Sequence, residues 1–208
     1  MKKLVSSLLT KDQFWSIIEK SNHGKNLKDE LAKLTQEELL GYKYWWDYLH
    51  AESYKQDLWA VAYTVMGGCG DDGFDYFRFW LVTRGQDVYE AALANTDSLC
   101  DEFDKIPDGE YPEWEEVSYI HSEVFEEKWG KDIYDAEWDA QNHIEFLPTP
   151  RPEIDFKWEE DDEESIKAVC PNTFDKWWGN KKFGFDVEEE MSSFLSEIGI
   201  NLDDFKKQ

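Results

Sequence analysis

Two apolar runs near the middle of the chain set its pattern. Leu58 to Met66 contains no charged residue, and Phe74 to Val82 contains only Asp75 and Arg78. Between them lies GGCGDDG, residues 67–73, which has no large side chain. A helix that is apolar nearly all round is buried on most of its faces. The two runs therefore predict a central helical hairpin, with the remaining helices packed around it.

Upstream, Thr10 opens a helix. Gln13 stands at the capping-box position, and Leu9 and Phe14 have the spacing of a hydrophobic staple. Phe14, Trp15, Ile17 and Ile18 form its buried face, Asn22 to Gly24 end it, and a short helix is expected from about Lys25 to Leu34. Thr35 with Glu38 repeats the device, with Leu34 and Leu39 as staple. The helix it opens is expected to be the longest, with Leu39, Tyr42, Trp45, Trp46 and Leu49 inward and Tyr44, Tyr48 and His50 off the main stripe.

After Gly85 a further helix is expected, with Val88, Ala91 and Ala92 inward, followed by a short turn at Leu99 and Phe103. KIPDGEYPEW reads as an exposed loop. Helices are predicted again from about Glu113 to Trp129 and from Ile133 to about Phe146. LPTPRPE stops the helical pattern with three prolines, so a boundary is placed there: a helical domain over 1–149 and an acidic extension over 150–208. In that extension Ile154, Phe156 and Trp158 suit either a strand or an extended arm. PNTFDKWWG and Asp186 to Gly199 predict two last helices. The fold class is mainly α: a single multi-helix domain around a central hairpin, with an acidic C-terminal extension.

Charge changes this picture. The chain of 208 residues carries a net charge of −25. Residues 1–70 hold nine lysines against nine carboxylates, so the whole deficit falls on residues 71–208, with 13 Lys and Arg against 38 Asp and Glu. A field of that sign repels nucleic acid and anionic membrane and attracts basic proteins or cations; a solvated, solubilising face is the plainer reading. Single-strand stacking on the eleven tryptophans would need a cationic surface around the rings, which a chain of this charge does not lead one to expect, so they are assigned to the core. Cys69, Cys100 and Cys170 have no paired spacing, so they read as buried thiols in a reducing compartment, and no segment reads as a secretory signal or a membrane span. The expected location is the cytoplasm.

The candidate chemistry sits in GGCGDDGFDYFRFW. Asp71 or Asp72 is placed to cap a helix beginning near Gly73, where a carboxylate accepts free N–H groups and the helix dipole favours it. Asp75 and Arg78 stand three apart and share a face. Together with Asp57 and Trp59 on the facing helix, these groups form a candidate site for a cation or a basic group, or for general-base chemistry with Arg78 orienting an anion. The loop lacks the Lys-Ser/Thr ending of a phosphate loop and the spacing of a Ca²⁺ loop. The four histidines are isolated and read as surface or cap residues; no metal and no cofactor is expected.

Phe14-Trp15, the Thr35 capping stretch, residues 57–85 and VYEAALANTDSL together resemble the domain-of-unknown-function family numbered 4240, a mostly bacterial group. The similarity is dense from Asp57 to Leu99 and thinner over 10–40 and 114–146, and CPNTFDKWW carries its last trace. The family pattern pairs a run like GGC-S-DDGF with an Asp/Arg pair, falling here on Gly67, Gly68, Cys69, Asp71, Asp72, Phe74, Asp75 and Arg78. Gly70 stands where a Ser is common, which weakens any idea of a hydroxyl nucleophile. The resemblance implies an all-helical fold and a shared site, and no reaction. Two functions remain: a non-catalytic acidic module for a basic protein partner, inhibitor- or immunity-like, or an enzyme or small-ligand site on the Asp/Arg cluster.

Overall fold

The structure, a computed structural model, describes residues 2–150, 152–180 and 182–183. Its frame is helical: α1 (Lys11–Lys20), α2 (Leu27–Leu31), α3 (Gln36–Glu52), α4 (Gln56–Met66), α5 (Asp71–Thr83), α6 (Gln86–Ala94), α7 (Ile120–Trp129), α8 (Ile133–Ala140), α9 (Glu163–Val169) and α10 (Pro171–Trp177). Short 3₁₀ turns at Val5–Ser7, Thr96–Asp101, Phe103–Lys105 and Glu116–Ser118 join them. The helix expected over Asp186 to Gly199 lies outside the described residues.

Both capping boxes form. The Thr10 and Thr35 side chains accept from the Gln13 and Glu38 backbone N–H groups, and the Gln13 and Glu38 side chains accept in return from the cap residues' own N–H. α3 is the longest helix among the described residues and is buried on more than one side. Tyr44, expected off its stripe, is buried beside Trp45, whose indole N–H donates to the Leu9 carbonyl at 2.7 Å. Gly41 permits that approach: a Cβ there would lie 2.9 Å from the Leu9 backbone nitrogen.

α4 and α5 form the expected hairpin, and each arm serves a different half of the molecule. α5 packs on α3, α6 and the Glu116–Ser118 turn, whereas α4 packs on α9, α10 and the Thr96–Asp101 turn. Leu58, Ala60, Val61, Ala62, Phe74, Phe77, Leu81 and Val82 are all fully buried. The connecting loop is shorter than GGCGDDG, because α5 starts at Asp71 and Gly70 is its N-cap residue. Gly67 closes α4 in the left-handed region at φ +70, and Gly68 follows at φ +134.

Several expected boundaries move. Tyr89, not Ala91, faces inward on α6, where its hydroxyl donates to the Leu49 carbonyl at 2.6 Å; Val88 is half-buried and Ala91 exposed. α7 starts at Ile120 rather than Glu113, after the 3₁₀ turn. α8 stops at Ala140, and Ile144–Glu145 instead pairs in parallel with Lys3–Leu4 as a two-residue β1–β2 ladder. The Ile154 to Trp158 segment is an extended arm, not a strand. It lies along α4, with the Trp158 indole N–H on the Gln56 carbonyl at 3.0 Å and Phe156 edge-on to Trp59 at 5.3 Å. The tryptophans are not all core, since Trp138 is 73% exposed.

The attachment of α10 rests on one carboxylate. Asp97 Oδ2 accepts from the Asn172 backbone and side chain, and Oδ1 accepts from the Thr173 N–H at 2.7 Å. An aspartate from a distant turn thus caps the helix that follows Pro171. Burial raises the Asp97 pKa, but the N–H donors of Thr173 and Asn172 outweigh it and leave the carboxyl below its ordinary range.

Candidate functional site

The predicted residues separate into a built pair and an open rim. On α5, Asp75 and Arg78 are three apart, and the Arg78 Nη2 donates to Asp75 Oδ1. Arg78 Nη1 donates to the His50 carbonyl near the end of α3 at 2.6 Å. The guanidinium lies 4.9 Å from the centroids of both Tyr54 and Phe74. Arg78 is 3% exposed, while the Asp75 side chain is 46% exposed, so the cation is buried and its counter-ion reaches water. Burial lowers the Arg78 pKa and Asp75 opposes that shift; a guanidinium stays charged regardless.

His50 completes this cluster. Its ring stacks on Phe79 at 4.1 Å, and its pKa falls to about 3, through burial and then through the Arg78 charge. It is neutral at physiological pH and 3.9 Å from the Asp75 carboxylate. Tyr89, whose pKa is driven far up by burial, closes the inner side through the Leu49 carbonyl.

Trp59 reaches the cluster through packing. Its ring stacks on Phe74 at 4.6 Å, and its indole N–H donates to the Cys69 carbonyl at 2.8 Å, tying α4 to the glycine loop. Asp71 and Asp72 do not cap α5 with their side chains; they are exposed in its first turn, where the helix dipole still favours them. Asp57 is exposed in the first turn of α4, and its field acts on the buried Cys170 thiol. Of the six predicted residues, the structure therefore joins Asp75 to Arg78 and sets Trp59 behind them. Asp57, Asp71 and Asp72 form no ion pair with Arg78.

Around the loop the charge is one-sided. Glu113 lies near Cys69 and Glu115 near Tyr76, with Glu116 beside Glu113, and among the described residues neither they nor Asp71 and Asp72 make a salt bridge. Burial, then Glu116 and Glu115, raise the Glu113 pKa. Burial and Glu113 push the Cys69 thiol up to about 12, which leaves it protonated and a poor nucleophile at neutral pH. Among the described residues, no group of three or more His, Cys, Asp or Glu side chains is placed to hold a metal ion.

Two polar features were missed by the sequence reading. Lys43 is buried on α3, donating to Asp47 at 2.6 Å and Glu137 at 3.0 Å, with its ammonium 4.6 Å from the Tyr134 ring. Burial lowers its pKa, and the two carboxylates more than reverse that. His121, expected at the surface, is buried against Tyr42 and Trp46, and burial, then Lys43, lower its pKa to about 3. The sequence signal for both was an i, i+4 charge pair and a His on the inner stripe of a helix, which spacing alone does not separate from surface positions.

These features define a mainly helical domain whose centre is a hairpin carrying a buried, carboxylate-paired arginine. Residues 9–127 match the family described as "Protein of unknown function (DUF4240)", and the chain belongs to that family. The match covers α1 to most of α7, including the glycine loop, Asp75 and Arg78, and ends before α8. No curated protein and no solved structure matches the chain. Among the described residues, no helix is long and apolar enough to cross a membrane.

Proposed function

We propose that the protein is a non-catalytic, cytoplasmic module that binds a basic protein, in the manner of an inhibitor or immunity protein. The observation that carries this reading is the uncompensated acidity of residues 71–208, where carboxylates exceed cations by 38 to 13. The acids of the α5 first turn and of the 113–116 segment support it, having no cationic partner among the described residues. Complementary charge of this size accelerates encounter with a basic protein and makes it salt-sensitive. The free cysteines fit a reducing compartment: Cys100 and Cys170 are buried, and burial raises the pKa of both.

The alternative, an enzyme or cation site on the Asp/Arg cluster, draws less support. Arg78 already has Asp75, the His50 carbonyl and two aromatic faces as partners, and that pattern suits a structural anchor. The test is retention of host proteins on the immobilised chain at low salt, with elution by rising salt. A basic protein that leaves as ionic strength rises, and is not retained by a chain with Asp71, Asp72, Glu115 and Glu116 changed to Ser, supports the reading. Retention of neutral or acidic proteins only would sink it.

A further inference from the structure

Among the described residues, the outward face of α8 is met only by Lys43, at the Tyr134 ring. Ile133, Ala136 and Ala140 take the inward positions, which turns Tyr134 and Trp138 to water at i, i+4. Trp138 is 73% exposed and Tyr134 60% exposed, the two most exposed large hydrophobic side chains described. Asp135 and Asp139 flank them, also at i, i+4 and also exposed. Beside Trp138, a hollow of about 390 Å³ is lined by Gly130, Lys131, Asp132, Asp135 and Asp139. Leaving a tryptophan in water forgoes the burial of a large apolar area, so an exposed Trp and Tyr pair marks a surface that is covered in another state.

We infer that this face of α8 docks a lysine- or arginine-bearing segment of a basic protein, with a cationic side chain seated over Trp138 and between the carboxylates of Asp132, Asp135 and Asp139. This rests on the proposed function and names where it acts. Charge complementarity selects the occupant, since three carboxylates stand against the single ammonium of Lys131, which meets Asp139 at only 3.7 Å. The neighbouring ring already does the same work within the chain: Tyr134 takes the Lys43 ammonium at 4.6 Å. Tryptophan and tyrosine in such a setting are the residues that dominate binding when an interface forms. α8 lies beyond the family-matched residues 9–127, so the docking face is outside the matched region.

The experiment titrates the full chain at low salt with a twelve-residue peptide of alternating Arg and Ser, and with its citrulline counterpart, following the assigned indole N–H resonance of Trp138 and the heat of binding. The arginine peptide should bind and shift the Trp138 indole, and the citrulline peptide should not. Trp138→Ser with Tyr134→Ser should weaken the arginine peptide by about five- to tenfold, with the fold retained: Trp138 is exposed, and Tyr134 gives up only its contact with the Lys43 ammonium, which keeps Asp47 and Glu137. Binding at full strength to that double variant overturns the α8 assignment and leaves the acidic-module reading standing. No binding of the arginine peptide to the wild type overturns the α8 assignment, while the module reading stands or falls by the retention of host proteins.

Discussion

Arg78 and Asp75 form an unequal pair, and the inequality makes a prediction. Removing Arg78 releases a carboxylate that already touches water. Removing Asp75 leaves a guanidinium buried between Tyr54 and Phe74 without its counter-ion. Asp75→Ala is therefore expected to cost at least as much stability as Arg78→Met, about 1.5–3 kcal/mol for a lost charged hydrogen bond. Chemical denaturation of the two variants reads this directly; an Asp75→Ala protein as stable as wild type would mean the pair carries no weight. His121 makes the second residue-scale prediction. Its folded pKa of about 3 lies below its ordinary 6.5, so the unfolded chain binds the proton more readily between those values. Its neutral form supports the fold fully above pH 6.5, and that support is lost as pH falls toward 3. His121→Phe should flatten the decline of stability across that window relative to wild type, as measured by unfolding at a series of pH values. Parallel pH profiles for the two proteins would contradict it.

At the scale of elements, the same substitution should have opposite signs in two helices. A Cβ at Gly41 in α3 would stand 2.9 Å from both the backbone nitrogen and the Cβ of Leu9, and backbone does not give way cheaply. Gly41→Ala should destabilise by about 1–3 kcal/mol, despite the better helix propensity of alanine. At Gly73 in α5 the nearest atom to a new Cβ is the Cys69 sulfur at 3.5 Å, an ordinary contact. Gly73→Ala should stabilise by up to about 1 kcal/mol. Unfolding midpoints of the two variants decide the matter: a stabilised Gly41→Ala would show that the α3 contact is loose, and a destabilised Gly73→Ala that α5 has no room at its start. The contrast also separates two uses of glycine: Gly41 for close approach, and Gly67 at φ +70 for the left-handed turn that ends α4.

For the whole molecule, the dominant quantity is charge. The described ion pairs are almost all at the surface, and such pairs contribute little. A net charge of −25 repels itself, and at low ionic strength that repulsion extends about 30 Å. Raising salt from about 10 mM to 0.5 M should therefore raise Tm by a few degrees, since 1 kcal/mol corresponds to about 2–4 °C in a chain of this size. A Tm that falls with salt would mean that the surface pairs outweigh the repulsion. The same change in salt should weaken the proposed basic partner, so one variable moves stability and binding in opposite directions.

Features whose bonds close within a few residues could be read from the residue order alone. Thr10 with Gln13 and Thr35 with Glu38 are three apart, so their capping boxes were legible before any packing was known. The hairpin was equally legible, because two nine-residue runs with only Asp75 and Arg78 charged between them, one on each side of a glycine loop, have few other ways to avoid water. Asp75 and Arg78 were readable as a pair for the same local reason. Long-range packing governed what lay beyond that reach. It set the His50 carbonyl, Tyr54 and Phe74 around Arg78 and left Asp57, Asp71 and Asp72 without an ion pair to it. It joined Lys3–Leu4 to Ile144–Glu145 and gave α10 its cap from Asp97, 75 residues away from Asn172. It turned Trp138 outward because Ile133, Ala136 and Ala140 filled the inner stripe of α8. Composition assigns a tryptophan to the core on average, but which side of a short helix is covered depends on neighbours far along the chain, and periodicity carries no record of them.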